Sequence, residues 1–120
     1  MKTFITFIIV TLGLVAPIQA ADFSGPLPGQ CRLVGPSQLM TIENGARLTD
    51  EVVRLMNEAV AVADNPDWKF TFATRPVFLW ASEAKVACGK AYGYLRNGYR
   101  DEQYLGKCEC FHQRMQYYMH

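Results

Sequence analysis

The sequence predicts an all-α fold: a small helical domain of about three helices with an extended N-terminal arm, stapled by two disulfides. Three observations carry that prediction. Apolar residues recur at helical spacing through three stretches, whereas only one short segment alternates in the manner of a strand. The four cysteines are even in number and follow a leader of the kind that directs export. With that leader removed, the chain is about a hundred residues long, the size of one domain.

The leader is read at residues 1–20. Met1-Lys2 gives a positive start, Phe4 to Val15 is apolar, and Pro17-Ile18-Gln19-Ala20 ends on a small residue suited to cleavage. The apolar run is too short for a comfortable membrane span. A mature protein beginning at Ala21 is therefore expected in a periplasmic or secreted location, soluble and without a lipid anchor. Residues 21–45 form the arm. Three prolines and three glycines between Ala21 and Met40 exclude a regular element of any length there, and Cys31 is its expected tether.

The helical domain is placed at 46–120. Its first helix is expected from about Thr49 to Asp64. Thr49 serves as cap, Asp50 and Glu51 suit the positive end of the helix dipole, and Val52, Met56, Ala59, Val60 and Ala63 form the apolar stripe. Asn65-Pro66 ends it, because a residue before proline disfavours helical angles. Trp68 to Phe72 alternates but has no partner strand, and reads best as an extended connector packing Trp68, Phe70 and Phe72 on the core.

A second helix is expected from Val77 to Arg96, with Pro76 acceptable near its start. Trp80, Ala84, Cys88, Ala91 and Leu95 share one face of mostly small residues, so a neighbouring helix can come close. Gly89 and Gly93 weaken the helix and imply a packing reason for their presence. Asn97-Gly98 stops it. A third helix from about Asp101 to Tyr118 carries Tyr104, Cys108, Phe111, Met115 and Tyr118 as its stripe.

Helical geometry sorts the cysteines. Cys108 and Cys110 stand about 200° apart around one helix and cannot face the same partner. Cys88 and Cys108 lie on the apolar faces of a hairpin turning near Gly98, equally far from the bend. Cys110 shares its side with Gln103, Gln113 and Arg114, where the arm can deliver Cys31. The pairing expected is Cys88–Cys108 with Cys31–Cys110; the alternative is Cys88–Cys110 with Cys31–Cys108. The chain-entropy account gives roughly 3 kcal/mol for the shorter loop and about 4.5 for the longer.

Composition narrows the function. Twelve basic residues face eleven acidic ones, and losing Lys2 with the leader leaves the two balanced. Nucleic-acid binding, which needs a basic excess, is not expected, nor is membrane attachment after leader removal. No Gly-x-Ser-x-Gly, His-Glu-x-x-His or phosphate-binding glycine loop is present, nor Cys-x-x-Cys-His for haem, so no catalytic residues and no cofactor are expected. Glu83 and Glu109 are acid–base groups that nothing in the sequence brings together, read as residues of solvated helix faces. The segment Cys108-Glu109-Cys110-Phe111-His112 offers an alternative: a copper or zinc site using Cys108, Cys110, His112 and Met115. A redox-active Cys-x-Cys dithiol near Lys107 and His112 is a weaker one. Against both, cysteines tied in disulfides leave His112 and His120 as ordinary surface residues.

All six tyrosines fall from Tyr92 onward. Tyr92, Tyr104 and Tyr118 fit the core periodicity; Tyr94, Tyr99 and Tyr117 do not. Tyrosine suits protein interfaces, offering area at little entropic cost. A patch of Tyr94, Arg96, Tyr99, Arg100 and Tyr117 is the expected contact surface for a protein partner. Alanine at Tyr99 and Arg100 is expected to abolish capture without lowering the melting temperature. The stretch Cys88–Asp101 has the flavour of small secreted helical proteins such as periplasmic inhibitor or immunity proteins, but is too permissive to name a family. The sequence thus points to a non-enzymatic binding protein: an accessory, chaperone or inhibitor.

Overall fold

The computed structural model describes residues 31–33, 35–70 and 75–120. Residues 1–20, read above as an export leader, the first part of the arm and Phe72 lie outside these residues. Among the described residues the order is a 3-10 turn (Gln38–Thr41), α1 (Gly45–Ala63), α2 (Pro66–Phe70), α3 (Val77–Arg96) and α4 (Glu102–Met119). The all-α prediction holds, with two disulfides, Cys31–Cys110 and Cys88–Cys108.

α1 starts one turn earlier than expected. Asn44, not Thr49, is the cap: its Oδ1 accepts the Arg47 N–H at 2.9 Å. Thr49 lies inside the helix and donates its hydroxyl back to the Gly45 carbonyl. The buried stripe is Leu48, Val52, Leu55, Ala59 and Val62, at steps of four and three. Val52 and Ala59 were expected there; Met56, Val60 and Ala63 border it, half-buried.

The segment after α1 is helical rather than extended. Asn65 Oδ1 accepts the Asp67 N–H, and Pro66 takes the first helical position, where it has no N–H to lose. Trp68 still packs against the core, as the alternation suggested.

α3 has its expected bounds, and its inner face is Trp80, Ala81, Ala84, Ala87, Cys88 and Ala91. The small side chains let α4 approach until the Cα atoms of Cys88 and Cys108 are 4.5 Å apart. Trp80 meets Phe111 across that seam, ring centroids 5.9 Å apart. α1 lies across the hairpin on the other side, chiefly against α3. The glycine expectation is corrected. A side chain at Gly89 would meet only Met56 Sδ, at 3.9 Å, and one at Gly93 nothing, so neither serves close helix contact. Gly98 differs, with φ at +74°. Its N–H bonds to the Leu95 carbonyl and that of Tyr99 to the Tyr94 carbonyl, which closes α3 in a Schellman motif. Asp101 then caps α4 through the Tyr104 N–H.

Candidate functional site

Two sides of α4 carry polar groups, and they are used differently. On one side the arm lies over the helix. Cys31 reaches Cys110, whose burial to 3% is the work of that strap. Glu109, expected on a solvated face, is 7% exposed beneath it. Its Oε2 accepts the Ser37 hydroxyl and the Leu39 N–H at 3.2 Å; its Oε1 accepts the Gln38 N–H at 3.1 Å and the Gln113 amide at 3.3 Å. This one carboxylate satisfies the opening donors of the 3-10 turn. Arg100 holds the strap's end, donating to the carbonyls of Ile42 at 2.6 Å and of Met40 and Glu43 at 3.4 Å. His112 is not a surface residue either. It is 8% exposed, with Nε2 2.6 Å from Glu58 Oε2 on α1. Arg54 bridges Glu58 and Glu51, and its hydrogen bond holds the Glu51 carboxyl below its ordinary range.

The metal alternative loses its ligands. Cys108 and Cys110 are in disulfides, so neither sulfur is a thiolate; the same bonds remove the Cys-x-Cys dithiol. Met115 is wholly buried in the core. Among the described residues no three His, Cys, Asp or Glu side chains cluster as metal ligands. Nor, among them, is any helix long and apolar enough to cross a membrane.

The predicted tyrosine–arginine patch divides. Tyr94 and Tyr99 come together, centroids 5.6 Å apart, edge to face. Part of that contact belongs to the Schellman motif, which pairs apolar residues at these two positions. Even so they remain 39% and 58% exposed. Arg96 turns back onto Tyr92, Nη1 donating to the phenol oxygen at 3.1 Å. Arg100 belongs to the strap. Tyr117, 73% exposed, pairs with Tyr118 near the opposite end of α4, about 20 Å along the axis from Tyr104.

What the structure adds to Tyr94 and Tyr99 is a row of neighbours. Tyr94 stacks on Tyr104, centroids 5.8 Å apart. Lys90 and Lys107, from the two arms of the hairpin, both lie on the Tyr104 ring, at 5.1 and 5.4 Å from its centroid. Beyond them a cleft of about 150 Å³ is floored by Ala87 and Phe111 and edged by Val86. Val86, 53% exposed, precedes Lys90 and Tyr94 at steps of four along α3. That periodicity was available in the sequence, but the match with Lys107 depends on how the hairpin closes.

Comparison with protein-family models, with curated proteins and with solved structures finds no match to this chain. The fold is thus described from its own residues: a small helical domain, stabilised by two disulfides, with one hairpin face left open.

Proposed function

We propose that this protein is an exported, non-enzymatic binding module whose partner docks on the outer face of the α3–α4 hairpin. One observation carries the reading. Among the described residues four large apolar side chains are exposed, and three of them, Val86, Tyr94 and Tyr99, line that face. Exposed apolar area gathered in this way marks interaction sites. Tyrosines there present rigid area with a polar tip, the composition of interface centres. Export is supported by the leader at residues 1–20 and by the pairing of all four cysteines, which oxidising compartments favour.

The test is photo-crosslinking in producing cells, with a benzophenone side chain placed at Tyr99 or, on the opposite side of the molecule, at the exposed Asn57 of α1. A discrete adduct from position 99 and none from 57, lost in a Tyr94→Ala background, is the expected result. Equal adducts from both positions would sink the reading. Intact mass of the exported protein should show a chain starting at Ala21 with no free thiol.

A further inference from the structure

The hairpin face has a chemical asymmetry that specifies its partner further, on the footing of the docking reading above. Lys90 and Lys107 bring two ammonium groups to one aromatic ring. Neither has a carboxylate partner among the described residues; Lys90 Nζ reaches only the Tyr104 hydroxyl, at 3.4 Å. Arg54 and Lys85 differ in this respect: Arg54 pairs with Glu51 and Glu58, and Lys85 with Asp64. Two ammonium groups around one ring with no carboxylate paired to either leave a local excess of positive charge, which an anion in the cleft they both line relieves. A π-face attracts each ammonium but supplies no net negative charge.

The space beside them limits the anion. A cleft of about 150 Å³ holds one side chain, and its floor of Ala87 and Phe111 is apolar. Glu83 stands at its far end, roughly 10 Å along α3 from Lys90, and disfavours a second acid there. Tyr94 and Tyr99 extend the surface away from the lysines with flat aromatic area. Phosphate-rich polymers are a poor match: two lysines are no basic track, and the chain's charges nearly balance.

We infer that the docking partner is a protein segment carrying a glutamate or aspartate beside apolar residues. The carboxylate enters the cleft that Lys90 and Lys107 line, and the apolar neighbours cover Val86, Tyr94 and Tyr99. Rim charges of this kind set orientation and association rate, so the contact is salt-sensitive.

The experiment uses isotope-labelled mature protein and three synthetic peptides, alike except that a leucine pair is flanked by glutamates, by glutamines or by lysines. With the glutamate peptide, amide shifts should centre on Lys90, Tyr94, Tyr104 and Lys107. Affinity should fall about fivefold or more between about 50 and about 300 mM salt, and about tenfold or more in the double variant Lys90→Gln/Lys107→Gln. Equal binding of the glutamine peptide at the same residues would overturn the acidic partner while leaving the docking face standing. No shift on this face with the glutamate peptide, or unchanged affinity in the double variant, would also overturn it. Concentration-dependent self-association through these residues would assign the face to a second copy instead, and equally defeat the inference. The crosslinking at Tyr99 judges the face independently of all these outcomes.

Discussion

On the strapped side of α4, Glu109 accepts four hydrogen bonds, Arg100 caps three carbonyls and His112 meets Glu58. On the hairpin's outer side, Lys90 and Lys107 pair with no acid among the described residues and two tyrosines face solvent. Burial explains the difference. A polar group shut away from water must find partners inside the molecule, because an unsatisfied one costs about 1–3 kcal/mol. An exposed group is free to keep its capacity for something else. The first side is committed to holding the fold and the second is available, so substitutions on the two should separate stability from binding.

The largest effect should come from cutting the strap. Replacing Cys31 and Cys110 together by serine opens a loop with a sequence separation of 79 residues, which the chain-entropy account values at about 4.5 kcal/mol. Urea unfolding measures it, and a loss below about 1 kcal/mol would show that the polar contacts hold the strap without the staple. Next is Glu109→Ala, expected to cost about 3 kcal/mol because three strap donors lose their acceptor at once. Arg100→Ala should cost about 2 kcal/mol, since charge-assisted bonds to backbone are individually strong. That replaces the expectation that Arg100 can be removed without lowering the melting temperature: its guanidinium is bound to the chain itself, and only Tyr99 suits that test.

Crossing to the outer face should reverse the pattern. Lys90→Gln/Lys107→Gln should leave stability within about 0.5 kcal/mol, while weakening an acidic partner. A large stability loss there would erase the contrast between the two sides. The smallest effect is that of pH through Glu51. Its folded carboxyl titrates below the unfolded one because Arg54 donates a hydrogen bond to it. The stabilisation is therefore complete above the ordinary glutamate range and is lost as pH falls through the folded value. The pair lies in solvent, so Glu51→Gln should only slightly flatten the acid limb of a stability–pH curve.

Much of the scaffold was legible because it rests on periodicity. The bounds of α3, the stop at Asn97-Gly98 and both cysteine pairings follow from which residues share a helix face. The start of α1 did not, because Asn44 and Thr49 are both good caps and only the fold of the arm selects the earlier one. Trp68–Phe70 alternates in sequence, yet an Asn-Pro pair before it nucleates a short helix. The polar sites were least legible. Glu109 and His112 look solvent-facing until the arm and α1 cover them, and those contacts join residues 54 to 72 apart. Lys90 and Lys107 fail for the same reason: their meeting on Tyr104 is a property of the closed hairpin.

The nested linkage has a consequence for how the chain is made. Each native bond needs a cysteine of α4, Cys108 or Cys110, so neither can close until that helix has emerged. Before then Cys31 and Cys88 are the only thiols present, and they are a pair the finished molecule never uses. A bond formed between them early must be broken by attack from an incoming thiolate before both native bonds can close. Correct assembly thus requires either that oxidation wait for α4 or that an exchange catalyst undo the first encounter. Yield in an oxidising host should therefore follow the supply of disulfide isomerase more closely than the supply of oxidant.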